Sequence, residues 1–518
     1  MAEPRSSQRL AGWPPVAAAL ALALASPTWA QAPVASPARP PPAAVGPRLT
    51  LSLADAVFLG LRDNRTIKSA YVVRAAERYD LFVAETRFRP IGAITGSAEA
   101  TRAGDLRGST LQLNPSASWL VPTGAQFDFG WARQTVRSGG NDLTTQVATL
   151  GVSQPLLRGA GLAVNAAPVR LARLQDAIDR LSLKATVSDT VSRIILAYRN
   201  LVQSQQQLVI ARQSLERSRA QLATNQALID AGRMAAADIV QTQADIAAQQ
   251  VALLQAEQQR NSAQIALLAL LAVDLHTDVV AADALDAKPL AVDLDQAIAS
   301  ALDNRPDFLS QKRAVEQARQ GLILARNNRL WDVSVYGSVQ RQTERGDLFD
   351  DPITGAPLAG TGLPRTSGGV GVQFRIPLGD YRPRQAEIQA ETLVRTQELR
   401  LDDLRQAVEA QVRDAVQGVE LAWRQVEATR LSRDLAAKTL ELEREKLSAG
   451  RASNFELLTF EANLRSADLQ ALSASINYLN ALTTLDQQLG ATLDTWKIDL
   501  QAVRFTPSAA RSRPDGSG

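Results

Sequence analysis

The chain has 518 residues, 45% hydrophobic, with 56 Lys and Arg against 53 Asp and Glu, for a net charge of +3. It has no cysteine and one histidine, His276, which excludes disulfides, thiolate metal sites, a thiol nucleophile and a lipid on an N-terminal cysteine. The charges are interspersed, with no Lys/Arg block of the kind that binds nucleic acid.

Arg5 and Arg9 precede an apolar run, Val16 to Ala25, that ends at Thr28-Trp29-Ala30. This is the pattern of a secretory signal peptide over residues 1–30, too short to span a membrane as a helix. Residues 31–48 are rich in Pro and Ala and read as an extended linker. No later apolar run reaches the about 18 residues of a transmembrane helix, so any membrane crossing must use strands.

The remainder says the same thing twice. Asp63-Asn64-Arg65 ends an amphipathic opening at 53–61, and Asp303-Asn304-Arg305 ends another at 294–302. Ala231-Gly232-Arg233 and Ala449-Gly450-Arg451 each separate two long helical patterns. The copies lie roughly 220–240 residues apart, far beyond the about 20–50 of a solenoid unit. Two tandem repeats are therefore expected, at 49–275 and 293–490, with a connector at 276–292 and a partly disordered tail at 491–518.

Within each repeat the period changes. At about 90–155, Phe127, Phe129 and Trp131 alternate with Gln126, Asp128 and Gly130, while Leu113, Ala117 and Trp119 alternate with Asn114, Ser116 and Ser118. At about 331–377, Val333, Val335 and Val339 alternate with Ser334, Tyr336 and Ser338, and Val370, Val372 and Phe374 do the same. Such alternation fits a half-buried soluble sheet and equally the apolar-out, polar-in strands of a transmembrane barrel. In the second reading Trp119, Phe127, Phe129, Trp131 and Phe374 face lipid. Two strands per repeat would give four per chain, short of the about eight that close a barrel, so several copies would have to combine. The first repeat carries an additional hairpin over 111–137 whose place the sequence leaves open. The segment 343–366 reads as a long outward loop.

After Pro168 the chain runs to Ala231 without Pro or Gly. About sixty helical residues span roughly 90 Å, against the about 8–20 residues of ordinary globular helices. Leu201, Leu208, Leu215, Leu222 and Ile229, then Ile239, Ile246 and Leu253, recur every seven residues, as do Leu457, Leu464, Ala471, Tyr478 and Leu485. That period marks coiled-coil packing. With Tyr198 and Trp423 as equivalent landmarks, the first hairpin is one heptad longer.

Ser153-Gln154-Pro155-Leu156-Leu157-Arg158-Gly159 with Asn165, Ile376-Pro377-Leu378-Gly379, and Asn304-Arg305-Pro306-Asp307 together resemble the TolC-like outer-membrane efflux proteins over about residues 50–490. The resemblance implies a mixed α/β membrane protein and a homotrimer. It would have a transmembrane β-barrel in outer-membrane lipid, a long antiparallel coiled-coil helical barrel in the periplasm, and an equatorial belt. The protein would be a passive exit duct of a tripartite efflux or type I secretion system. It would dock a periplasmic adaptor (membrane fusion protein) and an inner-membrane pump of RND, ABC or MFS type. No enzyme, cofactor or metal is implied. The tips Ala231, Gly232, Arg233, Ala449, Gly450 and Arg451 would meet the adaptor. In the family, acidic residues past the second tip narrow the periplasmic opening. Glu456 matches the first such position, and Thr459 stands at the second. Asp238 matches a residue that tethers the closed state; the expected basic partner falls on Ala452, beside Arg451. Carboxylates near helix N-termini are also favoured by the helix dipole alone. A periplasmic adaptor or structural coiled coil without a pore is the alternative; long hairpins would serve it too, but paired amphipathic strands would not.

Overall fold

The computed structural model describes residues 49–103, 106–138, 141–232, 234–350, 357–449 and 451–499. The expected signal peptide, the linker, Arg233, Gly450 and most of the C-terminal tail lie outside the described residues.

In chain order come β1 (Leu49–Leu51), α1 (Leu53–Asp63), α2 (Arg65–Glu85), β2 (Ile91–Ala103), β3 (Leu106–Leu120), β4 (Gln126–Ser138), β5 (Asn141–Pro155), α3 (Leu162–Asn165), α4 (Ala167–Asp230) and α5 (Asp238–Leu271). The second repeat follows β6 (Val279–Ala281). It comprises α6 (Leu294–Asn304), α7 (Pro306–Asn328), β7 (Asp332–Asp350), β8 (Pro357–Thr361), β9 (Arg365–Arg375), α8 (Arg382–Ser448), α9 (Asn454–Leu489) and α10 (Thr492–Thr495). Among the described residues no helix is long and apolar enough to cross a membrane.

The repeated Asp-Asn-Arg marks a helix-to-helix corner, and each corner is clasped to the end of a distant helix. Asn64 accepts from the backbone N–H of Thr66 (2.8 Å) and Ile67 (3.2 Å), which caps α2. Its amide donates to Leu270 O (2.7 Å) at the end of α5. In the second copy Pro306 opens α7 and needs no N–H partner. There the corner at Asn304 lies against Gly490, the left-handed C-cap of α9 at φ +68°.

Two apolar clusters form around these corners. Val187, Val191, Ile194, Tyr198 and Leu201 of α4 pack with Val57, Ile67, Leu267 and Leu271. Val408, Val412, Val419 and Val426 of α8 pack with Ala297, Ala301, Tyr478 and Leu485. Burying each large side chain stabilises by about 1.5–3 kcal/mol. Each cluster holds one fully buried tyrosine. Tyr198 donates to Leu51 O (2.8 Å) and Tyr478 to Lys288 O (2.6 Å). Burial pushes the Tyr198 phenol well above its ordinary pKa. The parallel pair β1–β6 joins the entry of the first repeat to its exit. Arg199 ties the repeats together by donating to Leu479 O and Thr483 Oγ1. Burial lowers its pKa to about 10.

The structure corrects three expectations. Trp423 is not the equivalent of the fully buried Tyr198: it is only partly buried on α8, where its ring packs on Tyr478 of α9. The one-heptad excess measured from Trp423 is accordingly absent: α4 has 64 residues and α8 has 67. The described residues of segment 343–366 are largely strand, because β7 continues to Asp350 and pairs there with β8. In the first hairpin the continuously buried seven-residue series are Ser204, Ala211, Ser218 and Asn225 on α4, facing Thr242, Gln249, Ala256 and Ala263 on α5. Of the expected series Leu201 and Leu215 are buried there, while Leu208, Leu222 and Ile229 are half-buried. In the second hairpin Leu457, Ala471, Tyr478 and Leu485 are buried, as their spacing predicts. Small side chains put the helix axes close together, and the leucines flank that seam.

The corners yield a reciprocal prediction. Ala272, the C-cap of α5, holds the left-handed conformation (φ +54°) that glycine holds at Gly490. Ala272→Gly should stabilise by about 1 kcal/mol by removing the Cβ penalty. Gly490→Ala adds that penalty and sets a Cβ 2.8 Å from Asn304 O, so it should destabilise by more than about 2 kcal/mol. Thermal unfolding of the two variants against the parent protein checks both signs.

Candidate functional site: the sheet faces and the helical tips

The strands other than β1 and β6 form one sheet in the order β2-β3-β4-β5-β7-β8, with β9 also on β7. β8 and β9 pair successive parts of β7 and act as one strand broken at Gly362. The sheet thus has six columns rather than the four expected, because the additional hairpin (β3–β4) lies within it, between β2 and β5.

The pairing register sorts the side chains. Trp119 is opposite Phe127 and Phe127 opposite Val152; Phe129 pairs with Leu150, which pairs with Val339. Val333 pairs with Phe374 and Gly337 with Val370. Trp119, Phe127, Phe129, Trp131 and Phe374 therefore share one face, and the Trp119 and Phe127 rings stack at 5.6 Å. The Trp119 indole donates to Phe88 O (2.9 Å) where α2 hands over to β2. The opposite face carries Gln112, Asn114, Ser116, Asp128, Ser338 and Gln373. Among the described residues no helix layer covers either face. Val370 is 83% and Phe374 70% exposed. A contiguous apolar face of this extent marks a lipid or partner surface.

At the other end of the helices are the two tips. At the first, Ala231 caps α4 and Gly232 takes φ +68°. At the second, the Arg451 N–H donates to Lys446 O (2.8 Å), satisfying a carbonyl in the last turn of α8. Asp238 sits in the first turn of α5. Glu456 is exposed and occupies the third position of α9, where it completes a capping box: Ser453 N–H donates to its carboxylate (2.8 Å) and Glu456 N–H donates to Ser453 Oγ (3.2 Å). Those bonds hold its pKa below the ordinary glutamate value. Neither Asp238 nor Arg451 forms a salt bridge among the described residues. Thr459 donates to its own helix at Phe455 O.

What joins the hairpins at the tips is a buried amide and hydroxyl cluster that sequence reasoning missed. Asn225 donates to Thr242 Oγ1 and to Asn454 Oδ1, both at 2.8 Å. Asn454 in turn donates to Thr242 Oγ1 (3.1 Å) and to Asp238 O (3.4 Å). The three side chains are at most 4% exposed. Asp238 takes part through its carbonyl rather than its carboxylate. Further along, Glu461 receives Arg444 (2.6 Å) and Arg217 (3.5 Å), so α9, α8 and α4 converge on one carboxylate. The signal available in the sequence was the heptad position: Asn225 continues the series 204, 211, 218, and Thr242 opens its counterpart on α5. No cluster of metal-ligating residues occurs among the described residues.

Residues 61–273 and 297–491 match the family described as "Outer membrane efflux protein". No curated protein matches the chain. Among solved structures, the CmeC outer membrane channel of Campylobacter jejuni aligns at 15% identity and TM-score 0.63, covering 87% of this chain and 90% of its own. The outer membrane protein VceC of Vibrio cholerae aligns at 15% and 0.63 over 85% and 96%. The open state of the Neisseria gonorrhoeae MtrE outer membrane channel aligns at 16% and 0.63 over 85% and 89%. At such identities the likeness establishes the shared fold, while the sequence match across both repeats places the chain in the outer membrane efflux protein family.

Proposed function

We propose that the protein is the outer-membrane exit duct of a tripartite efflux or type I secretion system. Three copies would close the sheet into a transmembrane barrel, and the paired helical hairpins would continue it as a periplasmic tunnel. The observation that carries this reading is the uncovered sheet, apolar on one face and polar on the other, with β2 and β9 each paired on one side only. A buried lipid environment offers no water to unpaired N–H and C=O groups, so two open edges must meet partners. Strand directions alternate from β2 to β9, so β9 of one copy meets β2 of the next antiparallel.

The tips at Ala231, Gly232, Arg233, Ala449, Gly450 and Arg451 are the docking points for a periplasmic adaptor, with an inner-membrane pump supplying the energy. The Asn225–Thr242–Asn454 cluster holds the second hairpin against the first and serves as the closed-state fastening. Glu456, repeated three times about the axis, with Asp238 and Arg451 nearby, sets the charge at the opening.

Purified protein in planar bilayers should give ohmic pores, and quantitative recovery in the soluble periplasmic fraction would contradict the proposal. Asn454→Ala removes bonds worth about 1 kcal/mol each and leaves Asn225 short of a partner. It should raise the open-state population by roughly tenfold or more, read as higher mean conductance. Glu456→Ala should lower preference for cations while leaving conductance largely unchanged, measured as a shift in reversal potential under a salt gradient.

A further inference from the structure

Resting on the exit-duct reading, we propose that the β3–β4 hairpin is part of the barrel wall itself, so that each copy supplies six spanning strands and the closed trimer has eighteen. Four observations on this chain carry the proposal.

The hairpin is bonded on both sides along its length. β2 pairs β3 from Ile91↔Ser118 to Ala103↔Leu106, and β4 pairs β5 from Gln126↔Ser153 to Ser138↔Asn141. β2 reaches the rest of the sheet only through it. Its strands have 15 and 13 residues, enough for the about 9–11 that cross a bilayer. Next to the turn its two faces continue those of its neighbours: Ala117, Trp119, Phe127 and Phe129 lie on the apolar side with Leu150 and Val152, and Ser116, Ser118 and Asp128 lie on the polar side. Farther along, Leu111 and Leu113 share their side with Arg133, Thr135 and Arg137.

The fourth observation fixes its height. The turn between β3 and β4 is bound at the end of the sheet where β5 leaves for the helices. Thr123 O accepts from Gly161 N–H (2.9 Å), and Asn165 donates to Gly159 O (2.8 Å) beside that turn. Gly124 adopts φ +97° with Gly159 O and Asn165 where a Cβ would stand. A hairpin projecting outward past the sheet would have its turn at the opposite end.

Barrel diameter grows roughly in proportion to strand number. Eighteen strands in place of twelve widen the wall about 1.5-fold and its cross-section about twofold. The barrel then passes cargo broader than a twelve-stranded lumen admits, and size selection falls on the helical tips.

The chain has no native cysteine, so single cysteines can be spin-labelled without background. The test places them at Ser116, Ala117 and Ser118 of β3 and at Val372 and Gln373 of β9, in full-length protein in phosphatidylcholine vesicles. Oxygen collision rates should be high at 117 and 372, and nickel-chelate collision rates high at 116, 118 and 373. Alternation on β9 with uniform nickel access on β3 would remove the hairpin from the wall and leave the duct reading standing. Loss of alternation on both strands would overturn both. Deleting 106–138 brings β2 beside β5 in antiparallel order. Electron cryomicroscopy of that variant in nanodiscs should show the barrel narrowed by about a third; an undiminished diameter would overturn the proposal.

Discussion

The proposed duct depends on one constraint: a backbone N–H or C=O that faces hydrocarbon has no water to bond. The six-column sheet satisfies this internally along β3, β4, β5 and β7, and fails to satisfy it along the outer edges of β2 and β9. A soluble protein would protect such edges with charge, a bulge or a covering element. Here the apolar face runs to both edges, with Ile94 on β2 and Val370 and Phe374 on β9 exposed. In the duct we propose, this sheet, incomplete alone, is completed when copies meet edge to edge, and oligomerisation, membrane placement and an aqueous interior follow from that single requirement.

The helices answer a different demand. A helix of 64 residues extends about 96 Å and cannot be stabilised by one compact core. The chain uses three devices along that length. Large apolar clusters anchor α4 and α8 where the short elements of each repeat wrap them. Beyond those clusters the α4–α5 seam narrows mostly to Ala, Ser and Thr, which gives close approach, while Leu440, Leu447 and Leu457 form a small apolar cluster between α8 and α9. Toward the tips polar fastenings are added, through Asn225, Thr242 and Asn454 and through the charge cluster at Glu461. A polar fastening is strong when fully paired and is lost as a unit once one partner leaves. That behaviour suits the closing and release proposed for the tips.

The duplication and the alternating strands were legible from sequence because both depend on local period, which the chain shows directly. Trp119, Phe127, Phe129, Trp131 and Phe374 fall on one face for the same reason. The six-column sheet was legible only in part: the additional hairpin was visible, while its place depends on pairing between strands far apart in sequence. Asn225 and Asn454 escaped notice because a buried asparagine at a heptad position looks like a wet helix face until its partner on another helix is known. Glu456 shows the converse. Its match to a family position implied a constriction, and beside that the structure shows a capping box with Ser453, a local role that the sequence Ser453 to Glu456 already allowed.

The central claim, that β9 of one copy pairs with β2 of the next, is tested most directly by cross-linking in intact outer membranes. Thr95→Cys on β2 is combined in turn with Ser367→Cys, Gly369→Cys, Gly371→Cys and Gln373→Cys on β9. Oxidation should give, for the in-register pair and its neighbours, a covalent ladder that ends at three chains. Monomers for every pair, or a ladder that runs on past three, would contradict the account.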